Sequence, residues 1–272
     1  MNIIVCVKQV PATNEVRMNE KTNTIIREGV ESIINPYDMY ALEEGIRIRE
    51  KAGEGRVTAL SMGIPSVTEM LREAMAIGAD DAALLSDRKF AGADSLATAY
   101  TLSLGVRRIG DFDLIICGKQ ATDGDTAQVG PSLAEKLGIP HITYVDEVID
   151  ISEGVMRVKR ATDEGHEVID ITLPAVMTVE KGINIPRLPS VYGLREALKR
   201  EIPIWTHDDV NADGTMTGLD GSPTQVVRTF VPQSDKETVV LDGSCEADIK
   251  RLVDDLLDAG MMKREGVEFS WE

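Results

Sequence analysis

The sequence predicts an α/β protein built on a doubly wound, mostly parallel sheet and followed by a C-terminal extended arm. Continuous apolar runs such as residues 2–7 are typical of parallel strands that are buried on both faces. Helical segments alternate with these runs in the first half of the chain, as a doubly wound sheet requires. After residue 200 the alternation stops and Gly and Pro become frequent, which indicates an arm.

The strands and helices are assigned in chain order from hydrophobic periodicity. The predicted strands are residues 2–7, 56–62, 81–85, 113–117 and 175–180, with an alternating hairpin at 155–161 and 167–172. The predicted helices begin behind Asn35-Pro36 and cover 67–77, 95–109, 126–137, 194–200 and 247–257. Asn35 is a good helix cap, and Pro36 fits a first helical turn because its missing N–H has no partner there. We therefore expect one α/β domain at residues 1–200 and an arm at 201–272.

The composition narrows the classes of function. The 272-residue chain has a formal net charge of −17, which repels nucleic acid and anionic lipid, so we expect neither as a partner. No apolar run approaches ~20 residues, so no membrane span is predicted. Three scattered cysteines and three histidines without metal-ligand spacing predict a reducing, cytoplasmic location and no metal site.

The segment from Gly118 to Pro131 is the most informative in the chain. It leads from a buried strand through small and polar residues into a predicted helix, and helix-start N–H groups form anion sites. Thr126 can cap that helix, and Thr122 and Gln128 can donate to phosphate or ribose. The pattern is neither a dinucleotide fingerprint nor a triphosphate loop. It is also compatible with a plain Asp/Gly turn, and we expect any bound phosphate to turn the Asp123 and Asp125 side chains away.

Three segments resemble the β subunits of electron-transfer flavoproteins. They are residues 7–11 (VKQVP), residues 35–38 (NPYD) followed by 41–44 (ALEE), and residues 118–131. The resemblance covers essentially the whole chain, and the motifs occur in the family's order. It implies a flavodoxin-like or adenine-nucleotide-hydrolase-like sheet, an FAD or AMP bound by residues 1–200, and a residue 201–272 arm packed on a larger α subunit.

The resemblance also implies which residues contact the nucleotide. The implied contacts are Cys6, Asn35, Pro36, Tyr37, Asp38, Met62, Ala121, Thr122, Asp123, Gly124, Asp125, Thr126, Ala127, Gln128, Val129, Gly130 and Pro131. A further segment similar to the bifurcating members of the family offers Asp94, Ser95 and Thr98 as a rim for a flavin ring. Simpler readings stay open: Cys6 and Met62 as packing residues, Asn35 as a helix cap, and Asp94 as the cap of a helix that contains Thr98.

The loop sequence resembles the electron-bifurcating group, which implies a redox function. An FAD in this chain would accept a hydride from NADH, then deliver one electron to ferredoxin or flavodoxin and one, through the α-subunit flavin, to an acyl-CoA dehydrogenase. Flavin supplies that chemistry, so no catalytic acid, base or nucleophile is predicted. The alternatives are a non-bifurcating carrier that holds AMP as a structural ligand, and a stand-alone adenylate-binding regulator or ATP-using enzyme.

Residues 179–201, the recognition segment, are similar to the loop by which the family docks acyl-CoA dehydrogenases. Val191 occupies the position of the apolar anchor, where the better-known residue is leucine. Arg187 and Arg195, with Lys199 and Arg200, form a basic island that could steer an acidic partner. The competing interpretation is a solvated helix face.

Overall fold

The computed structural model describes residues 1–12, 18–19, 24–25, 31–227 and 238–262. The chain divides into two compact units, Met1–Thr229 and Phe230–Glu272. The first unit therefore extends beyond the boundary expected near residue 200. The reason is that residues 204–205 add a strand to the sheet, and residues 206–224 are hydrogen-bonded to the surface beside it.

The elements follow the predicted alternation of strand and helix. The strands are β1 (Asn2–Cys6), β2 (Gln9–Pro11), β3 (Met18–Asn19), β4 (Thr24–Ile25), β5 (Ser32–Ile34), β6 (Arg56–Met62), β7 (Asp81–Leu85), β8 (Leu114–Gly118), β9 (His141–Ser152), β10 (Val155–Thr162), β11 (Gly165–Thr172), β12 (Ala175–Val179) and β13 (Ile204–Trp205). The α-helices are α1 (Pro36–Ala52), α2 (Val67–Ile77), α3 (Ser95–Ile109), α4 (Val129–Leu137), α5 (Val191–Ala197) and α6 (Glu246–Asp258).

Nine of these strands form one sheet in the order β11-β10-β9-β12-β8-β1-β6-β7-β13. The strands from β9 to β13 along this order are parallel, and β10 and β11 continue the sheet as an antiparallel hairpin. The chain leaves β1 for β6 on one side and returns to β8 on the other. The strand order thus reverses between β1 and β8, and parallel sheets bind ligands in the crevice at such a reversal.

Both faces of the sheet are covered, which confirms the predicted doubly wound α/β fold. Helices α1 and α2 pack on one face, with Leu42, Ile46 and Leu71 fully buried in that core. Helices α3 and α4 cover the opposite face, where Leu133 packs with Ile115. Alternate residues of each strand thus enter one core or the other, as continuous apolar strands require.

The structure differs from the expected elements mainly at β9, β13 and the start of α4. Strand β9 pairs with β12 through its first residues and with β10 through its remainder, so its pattern of burial is mixed. Helix α4 begins at Val129 rather than at residue 126. In the second unit, α6 carries Ile249, Leu252 and Leu256 at helical spacing, but none of its residues is buried. No helix among the described residues is long and apolar enough to cross a membrane.

Candidate functional site

A cavity of about 330 Å³ lies at the carboxyl ends of β1, β6 and β8, where the strand order reverses. All but five of the twenty predicted cofactor residues line it. They are Cys6, Asn35, Asp38, Met62, Asp94, Ser95, Thr98, Ala121, Gly124, Asp125, Thr126, Ala127, Gln128, Val129 and Gly130. The five outside the lining are Pro36, Tyr37, Thr122, Asp123 and Pro131.

Several lining residues were missed by sequence reasoning. They are Val7, Lys8, Ala93, Leu102, Cys117, Gly118, Lys119 and Gln120. A signal for some of them existed: Lys8 follows β1, and Lys119 follows β8, so both had to lie at the ligand-binding edge of the sheet. Leu102 lies one turn after Thr98 on α3, and only the three-dimensional packing shows that it reaches the cavity.

Asp38 holds the two strands on either side of the reversal. One carboxylate oxygen accepts a hydrogen bond from the backbone N–H of Lys8 at 2.8 Å, and the other accepts one from the N–H of Gly118 at 3.2 Å. A side chain at Gly118 would place its Cβ 2.4 Å from Asp38 Oδ1, so glycine is required for this contact. Burial raises the pKa of Asp38 to about 7, although these hydrogen bonds act in the opposite direction. Asp38 therefore fixes the positions of the two chain segments that form the crevice.

Asn35 fixes the loop between β8 and α4. Its Nδ2 donates to the Gln120 carbonyl at 2.8 Å, and its Oδ1 accepts from the Thr122 N–H at 3.2 Å. Asn35 occupies the N-cap position of α1, as expected, and its carbonyl accepts hydrogen bonds from the Asp38 and Met39 N–H groups, but its side chain forms no capping hydrogen bond. Its amide is turned toward the loop instead, where it satisfies one backbone donor and one acceptor.

The loop that follows has an irregular backbone. Asp125 and Ala127 have positive φ angles of 49° and 54°, which are uncommon for residues other than glycine. These angles delay α4 until Val129, so the expectation that Thr126 caps it is wrong. Residues with positive φ between residues with negative φ can direct successive N–H groups to one side, and these N–H groups then form an anion-binding concavity. The N–H groups of residues 127–129 donate no hydrogen bond to another described residue.

The two acidic side chains of the loop are bound by neighbours. The Lys8 ammonium group lies 2.7 Å from Asp123 Oδ1, and Gln120 Nε2 donates to Asp125 Oδ1 at 2.8 Å. We expect a bound phosphate to turn these carboxylates away from it, and a lysine and a glutamine side chain hold them. The charge of Asp123 is thereby compensated at the cavity mouth.

The predicted flavin rim is divided between two roles. Asp94 caps α3 by accepting from the N–H groups of Leu96 and Ala97, and its other oxygen accepts from the Thr224 hydroxyl at 2.8 Å. Its carboxylate is thus occupied by the scaffold. Ser95 donates to Gln128 Oε1 at 3.2 Å and joins the starts of α3 and α4, while Thr98 lines the cavity.

Three helices begin at this cavity: α1, α3 and α4. The first N–H groups of a helix have no partner within it, and they carry the positive end of the helix dipole. The two lysines of the lining are paired with carboxylates, Lys8 with Asp123 and Lys119 with Glu180, both at 2.7 Å, so the helix starts supply the positive potential. An anionic group such as a phosphate is therefore the ligand that the backbone at this site favours.

The recognition segment is attached to α1 by buried polar contacts. Asn184 donates to Glu44 at 2.9 Å and to the Tyr40 carbonyl at 3.0 Å. Arg187 lies between Glu43 and Glu50, with nitrogen–oxygen distances of 2.9 and 2.7 Å. The hydrogen bonds that the Arg187 guanidinium donates to Glu50 and Glu43 raise the pKa of Arg187. Because its charge is compensated, we reassign Arg187 from partner steering to anchoring of the segment.

The outer side of the same segment is apolar. Val191 is 89% exposed, and Ile185, Leu188, Tyr192 and Leu198 are also exposed. Isolated exposed apolar residues are ordinary, but a contiguous group on an anchored segment is typical of an interaction surface. We call these five residues the apolar patch. Arg195 lies on the same short helix and forms no ion pair within the described part of the chain.

The fold and the cavity define the class: a doubly wound α/β protein with an anion-favouring crevice at the reversal of strand order. A family model described as "Electron transfer flavoprotein domain" matches residues 22–210. The electron transfer flavoprotein subunit beta of Thermoanaerobacterium thermosaccharolyticum is 49% identical over 94% of this chain and 98% of that protein. The chain belongs to the electron-transfer flavoprotein family, and its similarity to such proteins identifies it as a β subunit.

Two further relatives have more specific names. The caffeyl-CoA reductase-Etf complex subunit CarD of Acetobacterium woodii is 47% identical, over 85% of this chain and 88% of that protein. Protein FixA of Azorhizobium caulinodans is 43% identical, over 88% of each chain. Membership in this family removes the support for a stand-alone regulator or an ATP-using enzyme.

Proposed function

We propose that this β subunit binds FAD in the cavity and takes part in electron bifurcation within a heterodimer with an electron-transfer flavoprotein α subunit. NADH donates the hydride. One electron goes to ferredoxin or flavodoxin, and the other goes through the α-subunit flavin to an acyl-CoA dehydrogenase. The observation that carries the proposal is the convergence of three helix starts on one cavity at the reversal of strand order.

The residues present suit a dinucleotide. Pyrophosphate needs several converging donors. The N–H groups of residues 127–129, which lead into the start of α4, would supply them. Gly124 has no atom within 4 Å of an added Cβ, so a ligand can approach the backbone there. Bound FAD would supply hydride acceptance and single-electron transfer. The chain's own residues would bind it, orient it and exclude water.

The bifurcating form is supported by the sequence of the loop and by a relative. CarD is, by its name, a subunit of a caffeyl-CoA reductase-Etf complex, which pairs an electron-transfer flavoprotein with an enzyme acting on a CoA thioester. We extend this pairing to the present chain as a proposal and keep an acyl-CoA dehydrogenase as its partner, in the cytoplasm.

The second candidate function is a non-bifurcating carrier with AMP in the cavity. The volume of about 330 Å³ favours it, because small-molecule sites span about 300–1,000 Å³ and this cavity lies at the lower end. A mononucleotide needs less space than a dinucleotide.

Identification of the nucleotides separates the two functions. The heterodimer is purified, denatured and analysed for flavin and AMP, and its reduction by NADH is followed. Two flavins per heterodimer and reduction by NADH are expected. One flavin with one AMP would establish the AMP-binding carrier instead, and an empty cavity would contradict both.

Docking to the dehydrogenase is tested separately at Val191. Val191→Asp places a charge in the apolar patch and should weaken docking by about 2 kcal/mol, because the carboxylate must lose water there. Since Val191 is exposed, folding should be unaffected. Electron transfer to the dehydrogenase should fall while reduction by NADH continues, and Val191→Leu should retain the transfer. Equal transfer rates in all three proteins would place docking elsewhere.

A further inference from the structure

Two cysteines line the cavity, and the proposed function does not use the reactivity of their thiols. Cys6 and Cys117 are direct register partners in the neighbouring parallel strands β1 and β8. Both side chains enter the same core, on the face covered by α3 and α4. They are 8% and 5% exposed, and both line the cavity. The two thiols therefore meet the same small space from adjacent strands.

The strand geometry allows the two sulfurs to bond. Neighbouring strands lie about 4.7–4.9 Å apart, and Cα atoms joined by a disulfide are usually about 4.4–6.8 Å apart. The Cys6 thiol is close enough to Cys117 to raise the pKa of the Cys117 thiol. Rotation of the side chains can thus bring the sulfurs together without a shift in the register of the strands.

We propose that Cys6 and Cys117 form a dithiol site that small disulfides oxidise to an intramolecular disulfide when the cavity holds no nucleotide. One thiol, as its thiolate, attacks the small disulfide, forms a mixed disulfide and releases one small thiol. The second thiol attacks the protein sulfur of that mixed disulfide, so the Cys6–Cys117 bond forms and the second small thiol leaves. The pair loses two electrons and two protons, and the small disulfide gains them.

A small disulfide can reach the two thiols only through the cavity, because packed core residues surround the thiols on their other sides. Their exposed atoms face the nucleotide space, so a bound nucleotide shields them. The neighbouring Cys6 thiol and burial raise the pKa of Cys117. Little of that thiol is ionised at neutral pH, so oxidation is slow and becomes faster as the pH rises. The new bond changes the cavity floor and hinders return of the nucleotide.

The experiment uses the heterodimer with Cys245→Ser in the β chain, which removes the exposed third cysteine. Nucleotide-bound and nucleotide-depleted samples are incubated with oxidised glutathione. The remaining thiols are alkylated after denaturation, and the β chain is weighed intact. The depleted sample should lose both thiols together, with a mass lower by two hydrogens, at least about tenfold faster than the bound sample. Dithiothreitol should restore both thiols and nucleotide binding, which shows that the fold is intact.

Single variants test the order of events. Cys6→Ala and Cys117→Ala chains should each stop at a glutathione adduct without forming an internal bond. Persistence of both thiols in the depleted double-cysteine chain, or equal oxidation rates with and without nucleotide, would overturn the inference. It rests on the proposed function only for the ligand that shields the thiols. The mass of the chain reports oxidation whether that ligand is FAD or AMP, so failure of one proposal is distinguishable from failure of the other.

Discussion

The nucleotide cavity and the recognition segment use polar side chains in the same way but present different surfaces. In the cavity, Asp38 and Asn35 bind the backbone of neighbouring segments. In the recognition segment, Arg187 and Asn184 are bound by the carboxylates of Glu43 and Glu44, which belong to α1. The cavity presents backbone N–H groups and the segment presents apolar side chains. In both regions, the buried polar residues position the surface that a ligand or partner would meet.

This comparison changes how the motifs of the sequence are interpreted. Residues 35–38 and 41–44 lie close together in the chain, at the start of α1. The first motif holds the cavity loop, and the second holds the recognition segment. One helix therefore supports both regions, and substitutions on it should affect either nucleotide binding or docking according to the residue changed.

The largest effect at a fixed pH is expected at Gly118, where an added Cβ has no room. In Gly118→Ala, the new Cβ would lie 2.4 Å from Asp38 Oδ1 and 2.7 Å from the Tyr37 backbone. Strand β8 and helix α1 must move apart, so the free energy of unfolding should fall by about 3 kcal/mol and nucleotide content should drop. Urea denaturation and nucleotide analysis measure both effects.

Gly124→Ala, in the loop that follows β8, is the matched control. No atom lies within 4 Å of an added Cβ there, so stability should stay within about 0.5 kcal/mol of the wild type. Similar losses in both variants would show that loop flexibility, rather than the contact with Asp38, explains the need for glycine. Gly130→Ala should resemble Gly118→Ala rather than the control, because the added Cβ would lie 2.4 Å from the Thr178 side chain of β12.

The second effect concerns anchoring of the recognition segment. Arg187→Met leaves the buried Glu43 carboxylate without its partner. We expect a loss of about 2 kcal/mol, less than the ~3–5 kcal/mol of fully buried pairs because the Arg187 side chain is 36% exposed. Arg195→Met is the control and should leave the free energy of unfolding unchanged. Urea denaturation measures the free energy of unfolding of both variants.

The salt dependence of docking distinguishes anchoring from steering. An anchoring Arg187 lowers electron transfer to the dehydrogenase equally at low and high salt, whereas a steering charge acts mainly at low salt. If Arg187→Met and Arg195→Met lower the association rate alike and only at low salt, both residues steer and the anchoring assignment is wrong.

The sequence predicted the sheet, most residues around the cavity and the interpretation of Asp94 as a helix cap, but not the hydrogen-bonding roles of Asp38 and Asn35. Continuous apolar strands are a local signal, and the edge where their carboxyl ends meet follows from topology. The contacts of Asp38 with Lys8 and Gly118 join residues far apart in the chain, so no local pattern reveals them. The late start of α4 depends on positive φ angles at Asp125 and Ala127, which the residue types do not signal. Strand β13 is too short for a periodic pattern.

The third effect is a pH dependence of stability that arises from Asp38 in the cavity. The folded state keeps the Asp38 proton up to a pKa of about 7, whereas the ordinary value is 3.8. Between these values the folded state binds more protons than the unfolded chain, so stability falls as pH rises, by up to about 1.4 kcal/mol per pH unit. Above the folded pKa the slope vanishes.

Asp38→Asn removes this titration, since its amide does not ionise. The difference in unfolding free energy between wild type and variant should therefore shift toward the variant as pH rises from about 4 to 7. Asp125→Asn, in the wall of the same cavity, should leave that shift in place. A difference that stays constant across this range would show that Asp38 is ionised throughout, with its two N–H hydrogen bonds outweighing burial.

The smallest effect is the difference in stability between substitution of Asp94, which caps α3, and substitution of Thr126, a residue type that often caps helices but does not cap α4. Asp94 accepts from the N–H groups of Leu96 and Ala97 and from Thr224, so Asp94→Ala should cost about 1–2 kcal/mol. Thr126 is exposed and lies before the start of α4, so Thr126→Val should change stability by less than about 0.5 kcal/mol. If the Thr126 hydroxyl contacts the nucleotide, that variant should still lose occupancy, which nucleotide analysis detects. A loss of about 1 kcal/mol in Thr126→Val would mean that α4 extends to residue 126 in solution and that the sequence pattern located its start correctly.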